Sequence, residues 1–293
     1  MKPTLVALLC CTFVTVSDTG RAGVVQAFSG ARHSFVAVSG TAFLQGRQGP
    51  SGGFSETNGT ASPQLTAWAS LGLKAAGADT GGALDYLVAH ESTLTEATDV
   101  ELVAVAESTL GRRPEALLAR IRKLQHANGR IGPTVNSTVW GILALRQARE
   151  PAPRTAVRFV LRRQARSGGW GWFAGGAPDS NDTAAAIQAL RSAGVTGKPI
   201  RRGLAYLKRL QNRDGGFELS QARGSDSQST AWAIQAFVSA HKAVPRGSIA
   251  YLRRMRRPDG SFRYSKRYAT TPVWVTSQVL PALARRAFPL QNP

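Results

Sequence analysis

A short pattern recurs along this chain and restricts what it can fold into. Each copy has apolar residues, then in most copies a Gln, then a Gly-containing turn and a final large apolar residue. Five clear copies end at Phe54, Ile131, Trp170, Phe217 and Phe262. The intervals are 39–47 residues, except that the first is 77, which predicts a degenerate copy near 83–112. The chain therefore contains six repeated units.

Each unit contains two helical segments of different composition. The first is polar and Arg-rich, whereas the second is dominated by Ala, Leu and Ile. A helix that is apolar nearly all round is buried, and one with a charged face lies outside. The predicted fold is therefore all-α, an (α/α)6 toroid of six helical hairpins over residues 41–288. Its inner helices are predicted at 63–76, 137–147, 182–192, 229–240 and 273–284, with the degenerate copy adding a sixth.

The residues of the motif have structural tasks. Gly after Asp or Asn accepts the left-handed conformation that ends a helix. A Gln such as Gln164 or Gln211 at the end of the first helix can bond exposed backbone groups. The motif therefore predicts architecture and carries no chemistry of its own.

The first residues are typical of an export signal. Lys2 gives the positive start, and the apolar run from Leu5 to Val16 is too short to span a bilayer. We predict a signal peptide at 1–27, a linker at 28–40, and a secreted or extracytoplasmic protein.

The cysteine and histidine positions argue against a metal centre. Cys10 and Cys11 both lie in the predicted signal peptide, so the mature chain would contain no Cys. His90, His126 and His241 occupy unrelated places in their units. We expect no zinc or other metal and no cofactor.

The chain is strongly basic, with 37 Lys and Arg against 17 Asp and Glu. The charges cluster near the ends of the first helices, for example at Arg158–Arg166. They form either a solvated outer face or a surface that attracts an anionic envelope component. No nucleic-acid motif accompanies them, so we expect no nucleic-acid partner, and we expect a monomer.

The Gln-to-aromatic pattern resembles the QW repeat of squalene and oxidosqualene cyclases and, more loosely, the β subunits of protein prenyltransferases. It covers most of residues 41–284. The resemblance is sharpest where residues 168–172 precede Asp179, Asn181 and Asp182, because this stretch looks like the Asp-X-Asp-Asp segment of class II terpene cyclases. The resemblance implies a toroid with a cyclase-type cavity.

The resemblance implies a catalytic acid at one position of this motif. In that family the middle one of the last three motif residues is an Asp, and it protonates an alkene or epoxide. Here that position is Asn181, whose amide has no transferable acidic proton. Asp179 and Asp182 match the supporting positions and are also suited to cap the following helix. Two interpretations stay open: cyclase chemistry has been lost, or Asp182 or Asp179 has taken over as the acid.

The inner helices of a toroid direct their N-termini to one rim, where a ligand site is expected. Ala185 or Ala186 stands where other inner helices have Trp, which leaves room beside the acidic residues. Aromatic walls with a few polar groups suit an apolar small molecule, although the Trp residues alternatively only fill the centre. The predicted ligand-binding residues are Trp68, Asn136, Trp140, Trp172, Phe173, Asp226, Gln228, Trp232 and Trp274.

Asp226 also offers a different chemistry. Paired with Asp179 or Asp182 across a cleft, it would give the two carboxylates of a glycosidase. Because Asp226 opens an inner helix, a capping role is the favoured interpretation.

The sequence therefore predicts a secreted, terpene-cyclase-like toroid that binds a hydrophobic, isoprenoid-like ligand or an envelope partner without catalysis. One alternative is a divergent class II terpene cyclase with Asp182 or Asp179 as acid. Another is a structural or adhesive envelope module that uses the basic outer face. An open aromatic cavity at the Asp179 rim would favour ligand binding, and a plugged one a structural role.

Overall fold

The structure, a computed structural model, describes residues 40–290. The predicted signal peptide and residues 28–39 of the predicted linker lie outside the described residues, and Gly40 is already helical. Within 40–290 the regular elements are helices, with one short 3₁₀ turn at Glu91–Thr93. The α-helices are α1, described over 40–45, α2 Pro63–Ala75, α3 Ala83–Ala89, α4 Ala97–Thr109, α5 Glu115–Lys123, α6 Val135–Gln147, α7 Arg154–Arg162, α8 Ser180–Ser192, α9 Lys198–Arg209, α10 Ser227–Ser239, α11 Ser248–Arg254 and α12 Pro272–Leu283.

The even-numbered helices form a closed inner ring. Each packs against the next along the chain, and α12 packs against α2 to complete the circle. The odd-numbered helices from α3 to α11 pack outside them. Each of α3, α5, α7 and α9 packs against the inner helices on either side, and α11 packs against α10. The predicted (α/α)6 toroid is confirmed, including the degenerate unit, whose inner helix is α4.

Burial separates the two rings as the composition predicts. Every residue of α6 from Val135 to Leu145 is buried. In α7, by contrast, only Ala156, Phe159 and Val160 are buried, and the arginines face outward. The apolar area removed from water is therefore concentrated between inner helices, and this burial holds the ring together.

The repeated motif fixes the turn at the end of each outer helix. Gln211 Nε2 donates to the carbonyls of Gly215 (3.1 Å) and Arg246 (2.9 Å). Gly215 has φ +86°, and a Cβ there would lie 2.6 Å from the Gly247 carbonyl oxygen. The same paired Gln bonds occur at Gln48 and Gln164. This confirms the predicted role of Gln164 and Gln211, which bond backbone carbonyls at the turn, whereas Gln125 donates to the Thr155 hydroxyl.

A second part of the motif joins each turn to its inner helix. The backbone N–H of Phe217 donates to Thr230 Oγ1 at 2.8 Å, and that of Trp170 donates to Thr183 Oγ1 at 2.9 Å. Phe54, Ile131 and Phe262 make the equivalent bond. A Thr side chain of the inner helix therefore connects the buried motif residue to the inner ring.

Glu56 closes the ring at the N-terminal side of the inner helices. Its carboxylate accepts from the backbone N–H groups of Val273 (3.0 Å) and Trp274 (2.9 Å). The residue before α12, Thr271, makes no side-chain cap of its own. A carboxylate from the first unit therefore caps the last inner helix, where negative charge is also favoured by the helix dipole.

No helix among residues 40–290 combines the length and apolar character that a membrane span requires.

Candidate functional site

The N-terminal ends of the inner helices surround an open cavity of about 420 Å³. Every inner helix contributes two residues spaced i and i+4, which lie one above the other on the same helix face. The upper residues, called here the rim ring, are Gln64, Thr98, Asn136, Asn181, Gln228 and Trp274. The lower residues, called the floor ring, are Trp68, Leu102, Trp140, Ala185, Trp232 and Gln278.

The cavity brings together ten of the twelve residues selected from the sequence. They are Trp68, Asn136, Trp140, Trp172, Asp179, Asn181, Asp182, Gln228, Trp232 and Trp274. Ala185 lines the cavity where other inner helices carry a larger residue, as expected from its place in the third clear copy of the repeat. What these residues bind stays a prediction.

Two of the selected residues lie outside the lining. Phe173 is 59% exposed on the loop before α8. Asp226 is buried as the N-cap of α10, where its two oxygens accept from the backbone N–H and the hydroxyl of Ser229 at 2.7 and 2.8 Å. The carboxylate of Asp226 is thus committed to the helix end, as its capping interpretation predicts.

Edge-to-face tryptophans form the base of the cavity. The ring centroids of Trp68, Trp140 and Trp232 lie 5.5–6.0 Å apart, with interplanar angles of 81–87°. This is the geometry that the quadrupoles of aromatic rings favour. Three of the six floor positions are therefore packed aromatic rings.

The C-terminal segment closes the toroid on the far side of this floor. The ring of Phe288 lies 5.9–6.2 Å from all three tryptophans. The Phe288 N–H donates to Gln188 Oε1, and Gln147 Nε2 donates to the Leu290 carbonyl, both at 2.8 Å. The inner ring thus encloses a cup that is open at the rim and plugged at the base.

Two carboxyl groups share the wall of the cup. Asp179 is the N-cap of α8 and accepts from the Asp182 N–H at 2.8 Å. The helix therefore begins at Ser180, two residues before the predicted start, and Asp182 lies inside its first turn. Asn136 Nδ2 from the preceding inner helix donates to Asp182 Oδ1 at 2.7 Å.

This arrangement keeps a proton in the cavity wall. Burial, reinforced by the charge of the adjacent Asp179, raises the pKa of Asp182 to about 8. Burial also raises the pKa of Asp179. At neutral pH the pair therefore holds a proton beside Asn136.

Sequence reasoning missed the polar residues Gln64, Thr98, Asp99 and Gln278. Gln64 Nε2 donates to Asp99 Oδ2 at 2.7 Å, which links α2 to α4 across the rim. The missed signal was the Thr that bonds the motif residue: in five inner helices the floor residue follows this Thr by two positions, and the rim residue lies four before the floor residue.

No group of His, Cys, Asp and Glu within the described part of the chain is arranged to hold a metal ion.

Fold and cavity together define an α/α toroid protein with an aromatic cup at the N-terminal ends of its inner helices. The family model of the squalene-hopene cyclase C-terminal domain matches residues 141–292 of the sequence, just over half of the chain. The protein therefore belongs to the squalene-hopene cyclase C-terminal domain family. A search of curated proteins found no match.

Solved structures share the whole fold. A protein from Actinoplanes is 19% identical with a TM-score of 0.70, covering 86% of this chain and 99% of that one. The type II terpene cyclase MstE from Scytonema is 15% identical with a TM-score of 0.68, covering 87% and 97%. The GH76A α-1,6-mannanase from Salegentibacter sp. HEL1_6 is 10% identical with a TM-score of 0.64, covering 86% and 98%. At these identities the similarity shows the fold alone.

Proposed function

We propose that this protein is an exported, cyclase-like toroid that binds an isoprenoid-like ligand in the aromatic cup without cyclising it. The observation that carries the proposal is the open cup above the tryptophan floor. Its volume of about 420 Å³ lies within the roughly 300–1,000 Å³ typical of small-molecule pockets. Five tryptophans line it, which suits a flat or chain-like apolar body.

The solved relatives supply a chemical starting point. A variant of MstE has been solved with geranylgeranyl dihydroxybenzoate, an isoprenoid chain joined to a polar aromatic acid. The cup has the matching division, with apolar rings in the floor and mostly polar side chains in the rim. A ligand with an isoprenoid tail and an oxygen-bearing head is therefore the class we propose.

The acidic wall argues for binding over cyclisation. Asn181 belongs to a rim ring whose other members are mostly Gln, Thr and Asn, so an amide there continues the pattern of the rim. Its side chain offers no acidic proton. The proton that Asp182 keeps has a pKa of about 8, which makes it a weak donor to an alkene.

The binding test uses the cup itself. Titration with geranylgeranyl dihydroxybenzoate or farnesol should change the Trp fluorescence, since five of the six tryptophans line the cavity. Ala185→Trp fills the gap in the floor ring and should weaken binding at least tenfold by removing the space. Ala243→Trp is the matched control, because it adds the same ring at an exposed position. Equal binding by both variants would contradict the proposal.

The alternative, an enzyme, is supported by the Asp179–Asp182 pair that lines the cavity, where burial raises the pKa of Asp182 to about 8. A terpene cyclase that uses this acid should convert squalene or geranylgeranyl diphosphate to cyclised products, detected by mass spectrometry. A protein that only binds these molecules should yield no cyclised product. Turnover that disappears in Asp182→Asn would replace the binding proposal with the cyclase.

Export and the envelope are part of the same proposal. The apolar run near the N-terminus and the Arg-rich outer helices support a protein that works outside the cytoplasm against anionic surfaces. N-terminal sequencing of protein from the culture medium tests export. Full-length, unprocessed protein found only inside the cell would contradict it.

A further inference from the structure

The floor ring contains one amide side chain, Gln278, among residues that are otherwise apolar or aromatic. In the other inner helices the polar residue lies in the rim and the apolar or aromatic residue in the floor. On α12 this order is reversed, with Trp274 in the rim and Gln278 in the floor. The reversal places a hydrogen-bonding group at the depth of the tryptophans.

The orientation of this amide is fixed by its neighbour. Trp232 Nε1 donates to Gln278 Oε1 at 2.7 Å. The indole N–H can only donate, so the atom that it meets must be the amide oxygen. The NH₂ group of Gln278 is therefore the end left for another partner.

That NH₂ group has no acceptor among the described residues. Gln278 is 1% exposed, and its Nε2 atom is screened from bulk water. A buried donor without a partner is rare and unfavourable. The neighbouring amide of Gln235 donates to the backbone carbonyl of Gln278 over a long 3.4 Å, and its Oε1 makes no hydrogen bond to Gln278 Nε2.

We infer that Gln278 Nε2 binds an acceptor oxygen of the ligand, so that the cup selects oxygenated isoprenoids over hydrocarbons. This inference rests on the proposed function, which it refines by assigning a polar contact at the floor. A carbonyl, ether, epoxide or hydroxyl oxygen has the required lone pair. Because the donor is shielded from bulk water, the bond forms where competition from solvent is weakest.

The test compares two probes that differ in one group. Geranylacetone carries a ketone oxygen that can only accept, and its partner is the hydrocarbon with CH₂ in place of the carbonyl. Affinities for the full chain are measured by calorimetry and by Trp fluorescence. We expect geranylacetone to bind roughly tenfold more tightly, as satisfying one buried donor implies.

Substitution then assigns the preference to a residue. Gln278→Met removes the donor while keeping the length of the side chain, and should bring the two affinities within about twofold. Gln235→Met is the matched control, since it removes a buried amide that lies outside the cavity lining, and should keep the preference. If Gln278→Met does not fold, the wild-type comparison of ketone with hydrocarbon still decides.

The outcomes separate the two levels of the proposal. Equal binding of ketone and hydrocarbon by the wild type would overturn the role of Gln278 and leave the binding function standing. A preference that survives Gln278→Met would also overturn it, and would point to a trapped water or to Gln235 as the polar partner. Binding of neither probe would overturn both.

Discussion

Replacing Phe288 with Ala should destabilise the protein strongly, although this residue lies beyond the last repeat. Its side chain is 2% exposed and its ring contacts Trp68, Trp140 and Trp232. Truncating a buried Phe to Ala costs about 3–5 kcal/mol, because apolar contacts are lost and a cavity remains. Three aromatic pairs place Phe288 toward the upper end of that range.

The free energy of unfolding is measured by chemical denaturation followed by far-UV circular dichroism. For a domain of this size, a loss of this magnitude lowers Tm by roughly 6–20 °C. Phe173→Ala is the control, since that ring is 59% exposed and its loss should stay within about 0.5 kcal/mol. A loss below about 1 kcal/mol for Phe288→Ala would refute the idea that the C-terminal segment plugs the ring.

Three further predictions concern the ring and its acid pair. Glu56→Ala removes the cap of α12 and should lower the free energy of unfolding by about 1–2 kcal/mol, while an unchanged midpoint in denaturant would mean that the cap is dispensable. Gln211→Ala should lower the free energy of unfolding by about 1–3 kcal/mol, since two carbonyls lose a donor. Gln45→Ala, which loses one exposed hydrogen bond, should have little effect. Because the pKa of Asp182 is raised from 3.8 to about 8, its stabilising contribution is complete below pH 4 and disappears as the pH rises to 8. Stability measured from pH 4 to 8 should therefore fall more steeply in the wild type than in Asp182→Asn, and parallel curves would contradict the assignment.

The sequence predicted the toroid because the same local sequence signals recur from unit to unit. The Gly of each turn, the Gln that bonds it and the contrast between Arg-rich and Ala-rich helices all recur, so a feature that is weak in one unit is supported by the others. The degenerate unit was found for the same reason, from the doubled interval between Phe54 and Ile131.

The details of the cup were harder to predict. Inner helices that are apolar on nearly all sides give no periodic signal of which face points inward. Gln278 was missed because its helix carries Trp274 in the rim, one turn before the position where Trp68 and Trp232 occur in theirs. Phe288 was missed because a side chain that enters from outside the repeats belongs to no pattern.

The contact between α12 and α2 has a consequence for how this protein unfolds. In an open row of repeats, each terminal unit has a single neighbour and can fray while the rest stays folded. Here the first and last inner helices are neighbours, and Glu56 spans the junction. The ring has no terminal unit that can unfold before the others. A destabilising substitution in any one unit should therefore destabilise all six, and the molecule should melt in a single step.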